Sequence, residues 1–159
     1  MNQQKNPGEQ RRDMLRNSLA IAGAGFFALR PIPLTATPLT MRSAMNKAFD
    51  NQKIQAGKVM LKLPQVAENG ASVQFSVSVD SPADQTDYVK SIHIFSEKNP
   101  LPEVARFFLS PGAGKATVTT RIRLADSQTI IAVATLSDGS LWSGSAQSVV
   151  TLAACIDTV

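Results

Sequence analysis

The chain predicts an all-β, immunoglobulin-like antiparallel sandwich of about seven strands, preceded by a short helix and followed by a C-terminal arm. Three observations carry this. Apolar residues alternate with polar ones at period two over most of residues 58–151. Turn residues interrupt that alternation about every ten positions. An Asp138-Gly139 pair stands between two strand-like runs, as at a hairpin.

In order, Thr40 to Ala56 reads as a short helix. Thr40 or Ser43 can cap it, and Met41, Met45, Ala48 and Phe49 share one face at spacings of three and four. Gly57 is the expected stop. Strands are expected over 58–63, 73–79, 88–97, 104–110, 115–124, 128–137 and 140–151. Val73 to Val79 alternates strictly. Thr129 to Leu136 is almost wholly apolar or β-branched, which suits a central strand. Turns fall at Glu68-Asn69-Gly70, Asp80-Ser81-Pro82, Asn99-Pro100-Leu101-Pro102 and Pro111-Gly112-Ala113-Gly114. The last of these precedes a strand, so it reads as a hairpin loop and not as a phosphate cradle.

The first residues read as an export signal. Residues 1–16 are polar and basic, and an apolar run extends from Leu19 to Leu29. Arg11-Arg12, with Leu15 and Arg16 following, resembles the twin-arginine signal, although Met14 stands where that signal usually has Phe. The run is about half the roughly 20 residues of a spanning helix, and Gly23 and Gly25 weaken it, which argues against a stable membrane anchor. The expected division is therefore residues 1–36 as signal, 37–57 as linker and helix, 58–151 as sandwich and 152–159 as arm. Such a signal implies a periplasmic protein exported folded. It also accounts for the charge. Of 16 basic and 12 acidic residues, five and two fall within residues 1–30, leaving 11 against 10. A nearly neutral domain gives no reason to expect nucleic-acid binding.

Constellations for catalysis are scarce. The single histidine, His93, is out of phase with Ile92 and Ile94 and shares a sheet face with Phe95. A half-buried strand histidine held by a hydrogen bond fits this pattern better than a catalytic base. No Cys-x-x-Cys, metal-ligand spacing or glycine-rich phosphate loop is present, so no metal or cofactor is expected. Glu97 and Lys98 read as a solvated loop edge. Trp142, Phe107 and Phe108 are candidate core or interface anchors.

The remaining chemistry is at the end of the chain. Cys155 is the only cysteine, so it is left for an intermolecular bond, a covalent adduct or no role. With the last strand ending near Thr151, four further residues carry it about 13 Å at roughly 3.3 Å each. No Lys, Arg or His neighbours it in sequence, and Asp157 disfavours a thiolate. An unactivated thiol on a projecting arm suits a carrier whose partners supply the activation; an idle thiol on a frayed end is the alternative.

Several stretches resemble the SoxY family. They are Val73 to Pro82 after Glu68-Asn69-Gly70, Val89 through Pro102, Arg121 through Gln128, and Asp138-Gly139-Ser140-Leu141-Trp142. The resemblance covers roughly residues 55–155. It implies the sulfur-carrier subunit of a periplasmic thiosulfate-oxidising system, not an enzyme in itself. It also implies pairing with a second sandwich, SoxZ, and service to three enzymes: a cytochrome-containing enzyme that loads thiosulfate, a hydrolase that releases sulfate, and a sulfur dehydrogenase. By position Cys155 corresponds to the family's attachment cysteine, which lies in a Gly-Gly-Cys-Gly-Gly arm. Here Ala153 and Ala154 precede it, and Ile156 and Asp157 follow. Alanine reduces the freedom that glycine gives, and isoleucine and aspartate add bulk and charge. The alternative is a structural subunit of the same heterodimer with Cys155 idle or in an intermolecular disulfide.

Overall fold

A computed structural model describes residues 38–81 and 86–153. The paired arginines Arg11 and Arg12, and the arm residues Ala154, Cys155, Ile156 and Asp157, lie outside the described residues.

One α-helix and nine strands are present among these residues: α1 (Pro38–Ala48), β1 (Ile54–Ala56), β2 (Val59–Lys62), β3 (Val66–Ala67), β4 (Val73–Val79), β5 (Val89–Ser96), β6 (Glu103–Phe108), β7 (Thr117–Ile122), β8 (Gln128–Leu136) and β9 (Leu141–Val150). They form two sheets. The larger runs β1-β9-β8-β5-β6, with β3 also on β9; the smaller runs β2-β4-β7. Alternation decides the inner faces. In β4, Val73, Phe75, Val77 and Val79 are buried and the residues between them are not. They meet Ile92, Ile94, Ile130, Ala132, Ala134 and Leu124 in one continuous core. Each valine, leucine, isoleucine or phenylalanine among them contributes about 1.5–3 kcal/mol by leaving water. β8 is central, as its apolar composition predicts, and is covered on both faces.

The outer face of the large sheet carries α1. Met41 and Phe49 are buried there against Phe95, Val133 and Leu141. The expected helical face is therefore the packed one. The helix is shorter than expected, however: it ends at Ala48, not at Ala56. Asp50 and Asn51 take left-handed backbone angles, φ 50 and 58, which break the helix before Gly57 is reached. The next residues gain more by joining a sheet. Ile54–Ala56 pairs parallel with Leu141, Trp142 and Ser143 of β9.

β1 and β3 are the two strands the sequence does not reveal, and both run parallel to β9, so the large sheet is not wholly antiparallel. They cover opposite ends of one β9 edge, which would otherwise offer unpaired backbone groups. Between them the chain leaves as β2 for the other sheet. It passes so close to β9 that a Cβ on Gly144 would collide with the Val59 carbonyl oxygen. Glycine is required there for space, not for its conformation.

Two loops refine the reading further. The β8–β9 hairpin turns through Ser137 and Asp138, and Gly139 at φ 85 supplies the left-handed residue that follows. Pro111–Ala113 is a 3₁₀ turn. It does not close a hairpin, because β6 edges the large sheet and β7 the small one. It is a crossover on the open side of the sandwich.

Candidate functional site: the root of the C-terminal arm

Cys155 itself lies outside the described residues, but the structure fixes what it hangs from. β9 ends at Val150, close to expectation. Anchoring nevertheless continues. The Thr151 amide donates to the Ala67 carbonyl at 3.0 Å, and the Leu152 carbonyl accepts from the Gly70 amide at 2.8 Å. The Thr151 hydroxyl donates to the Glu68 carbonyl at 2.9 Å. These bonds lie beyond the strand itself. β3 and the Glu68-Asn69-Gly70 turn hold the chain through Leu152.

A second set of bonds holds the same point from the other side. The Ser127 hydroxyl accepts from the Val150 amide at 2.9 Å. Ser127 adjoins a buried amide pair. Asn99 accepts from the Gln128 side chain at 2.9 Å and from the Ala125 amide at 2.9 Å, and donates to the Arg123 carbonyl at 2.8 Å. Gln128 in turn accepts from the Lys98 amide at 2.8 Å. Glu97 accepts from the Thr129 amide at 3.2 Å, and Lys98 pairs with Asp126 at 2.8 Å. Glu97 and Lys98 are therefore bonded to residues 126–129, not merely a solvated edge. Two stretches that look unrelated in sequence, Glu97 to Pro102 and Arg121 to Gln128, close into one network at the arm's root.

His93 is placed elsewhere, on the outer face of β5 beneath α1. It is buried, its Nδ1 lies 2.9 Å from Glu103 Oε1, and its ring sits 4.9 Å from that of Phe49. Arg106 grips the same carboxylate through two bonds of 2.9 Å. Burial above all, and then the charge of Arg106, lowers the His93 pKa against the opposing pull of Glu103. The Glu103 pKa is lowered, chiefly by the Arg106 hydrogen bonds. This is the hydrogen-bonded strand histidine that the pattern predicts. Among the described residues no three acidic, histidine or cysteine side chains gather where they could hold a metal ion, and no helix is long and apolar enough to cross a membrane.

The three candidate anchors separate. Trp142 and Phe107 pack half-buried against the sandwich core. Trp142 also donates to Ser140 and lies under the Lys58 ammonium at 4.7 Å. Phe108 is 75% exposed. It stands on the edge strand β6 opposite Ser91, on the sheet face that carries α1, whereas Phe107 helps line a groove of about 560 Å³ between β6 and β7 with Leu101, Val104, Arg121 and Ile122.

Comparison with known proteins agrees with this architecture. Residues 45–155 match the family model of the sulfur oxidation protein SoxY. No curated protein sequence gives a significant match. Among solved structures, the chain is similar to the sulfur carrier protein SoxY from Chlorobium limicola f thiosulfatophilum, at 29% identity and a TM-score of 0.59, over 70% of this chain and 96% of that one. The superoxide reductase (neelaredoxin) from Ignicoccus hospitalis matches at 21% identity and a TM-score of 0.52, over 74% and 95% of the two chains. That from Nanoarchaeum equitans matches at 12% and 0.51, over 60% and 99%. These two likenesses are of fold alone. The model match extends over more than half of the chain and reaches Cys155, and on that ground the chain belongs to the SoxY family of sulfur-oxidation proteins.

Proposed function

We propose that the chain is a non-catalytic sulfur carrier of thiosulfate oxidation, with the substrate held covalently on Cys155. The observation that carries this reading is the construction of the arm's root. A lone thiol within the family match stands three residues beyond Leu152, whose carbonyl is the last hydrogen-bonded group of the clamp. Loading joins the thiol to thiosulfate as a thiosulfonate, R–S–S–SO₃⁻. One proton and two electrons leave, and a cytochrome-containing partner takes the electrons. Attack by water then releases sulfate and a proton and leaves a persulfide on Cys155. A sulfur dehydrogenase can oxidise that remaining sulfur further. The sandwich performs none of these steps; it presents the thiol. The substitution of alanine for glycine at Ala153 and Ala154 stiffens the presentation.

Two further parts belong to this reading. The protein works in the periplasm, exported folded through Arg11-Arg12. It pairs with a SoxZ-like sandwich, which would cover the open side between β6 and β7, where Leu101 is 76% exposed. Folded export suits a heterodimer in which only one subunit carries a signal.

Intact mass of the protein from thiosulfate-grown cells tests the carrier role. The expected result is sulfur-containing adducts on the wild type and none on Cys155→Ser. Unmodified thiol in both, or a stoichiometric Cys155-linked dimer on non-reducing gels, would replace the carrier with a structural subunit.

A further inference from the structure

His93 has no part in the chemistry of Cys155, yet two residues hold it in one orientation. Its Nδ1 lies 2.9 Å from Glu103 Oε1, and Arg106 keeps that carboxylate ionised through two bonds of 2.9 Å. An ionised carboxylate only accepts, so Nδ1 carries the proton and donates. Burial keeps the ring neutral in neutral solution. Nε2 is then left with a lone pair. Nδ1 is the one ring nitrogen with a hydrogen-bond partner among the described residues, although His93 is only 7% exposed. A buried acceptor is costly until something donates to it.

A cavity lies in front of that lone pair. It measures about 310 Å³ and sits beneath the segment from Ala48 to Gln52, at the start of β5 and the end of β8. His93 lines it, and Glu103 and Arg106 do not. The edge of the ring that is bound to Glu103 therefore faces β6, and the opposite edge, which bears Nε2, faces the cavity. Ser91 and Thr135, direct partners across β5 and β8, add two hydroxyls to the wall, and Gln52 adds an amide. Among the described residues of the wall, Asp50 is the only charged one; no lysine or arginine balances it. The cavity is at the opposite end of β8 and β9 from the arm's root.

This wall selects by charge and by donor. Its two fixed acceptors are the Asp50 carboxylate and Nε2; the hydroxyls and the amide adapt to either role. An anion such as thiosulfate would meet a carboxylate and a lone pair there. One histidine and one carboxylate fall short of the three protein ligands of a metal centre. His93 pairs with Glu103 and not with Asp50, so the two acceptors are separate and a ligand that meets both needs two donors. The volume is near the lower end for small-molecule sites. We propose that the cavity binds a small organic ammonium with a second hydrogen-bond donor, the ammonium toward Asp50 and the second donor on His93 Nε2. The site is independent of the carrier reading.

The test uses the mature chain, isotope-labelled at the histidine ring nitrogens and free of any histidine tag. His93 is the only histidine, so one imidazole is observed by NMR. Ethanolammonium is the probe. It should shift the Nε2 resonance saturably and leave Nδ1 nearly unmoved, with a dissociation constant of about 1 mM, in keeping with so small a ligand. Ethylene glycol keeps the donors and lacks the charge; it should bind about threefold more weakly or worse. Tetramethylammonium has the charge without a donor, and thiosulfate has the opposite charge; neither should saturate. Thr135→Val keeps the β-branched shape and removes a hydroxyl, and should lose about threefold to tenfold in affinity. Asp50→Asn preserves the left-handed backbone, which asparagine accepts, and should lose about threefold. An unchanged Nδ1 resonance in both variants shows that the His93–Glu103 pair is intact. Lys98→Ala, at the arm's root, should bind as wild type does. No saturable shift up to about 50 mM would show that the cavity takes only water, and would overturn the site. Equal binding of ethylene glycol, saturation by thiosulfate, or wild-type affinity in both Asp50→Asn and Thr135→Val would overturn it as well.

Discussion

Two clusters of hydrogen-bonded polar side chains, each built around buried members, stand out among the described residues, and the two are built differently. Beneath α1, His93, Glu103 and Arg106 make a cluster that titrates. At the root of the arm, Asn99, Gln128, Ser127 and Thr151 make a network of amides and hydroxyls that do not. A buried polar group is tolerated only when its partners are in place, and this holds at both sites. Protonation can alter the partners directly at the first site, whereas the Asn99, Gln128 and Ser127 bonds at the second do not titrate and only the exposed Lys98–Asp126 pair at its margin does. The helix cover is therefore the more pH-sensitive of the two.

The largest effect that would break this comparison is on the covered face. Phe95 is fully buried beside the rings of Phe49 and His93. Phe95→Ala should destabilise the domain by about 3–5 kcal/mol in urea unfolding, and limited proteolysis should cut first near α1. A loss below about 1 kcal/mol would mean that the helix contributes little to the fold.

Asn99→Ala is next, at the root. It leaves the Gln128 side chain, the Ala125 amide and the Arg123 carbonyl without their Asn99 partner. An unsatisfied buried group costs about 1–3 kcal/mol, so a loss of about 3 kcal/mol is expected once water satisfies some of them. Hydrogen exchange should rise at the amides of Ala125 and Val150 and not in α1. Exchange that rises equally everywhere would refute a separate foundation.

The pH dependence follows from the direction of two shifts. The folded pKa of His93 lies below its ordinary value of 6.5, so the unfolded chain binds the extra proton first. Its contribution to stability is present above pH 6.5 and is lost as pH falls through the folded value. Glu103, also lowered, contributes above its ordinary 4.5 and loses that contribution further into acid. Both act in the same direction. The urea midpoint should fall between about pH 7.5 and about pH 5.5, and fall less in His93→Gln. Hydrogen exchange at Val150 and Thr151 should track this only through global unfolding. An equal midpoint shift in both proteins would place the titrating group elsewhere.

The smallest effect is on the surface of the root. Lys98 and Asp126 are both largely exposed, and such pairs contribute little. Lys98→Ala should cost less than about 0.5 kcal/mol, in contrast to Asn99→Ala beside it. A larger cost would show that the ion pair, not the amide network, holds the loop.

Much of this architecture was legible because it is periodic or local. Alternation along Val73 to Val79 marks a strand with one face buried, whatever its neighbours turn out to be. Asp138-Gly139 marks the hairpin because few other residues accept the left-handed angle. Cys155 is legible as a lone thiol from a count. What only the tertiary structure decided are partnerships between distant positions. Ile54–Ala56 and Val66–Ala67 are too short to announce a strand; they become strands because one edge of β9 has free hydrogen-bonding groups. Asn99 and Gln128, 29 positions apart, appear as turn and strand residues until the fold brings them into contact. The same holds for the clamp, where Thr151 reaches back 83 positions to Glu68. A residue's own conformational preference is written in its type and its immediate neighbours. The identity of its hydrogen-bond partner is a property of the packed sheets, because only closure of the whole sandwich brings those two groups together.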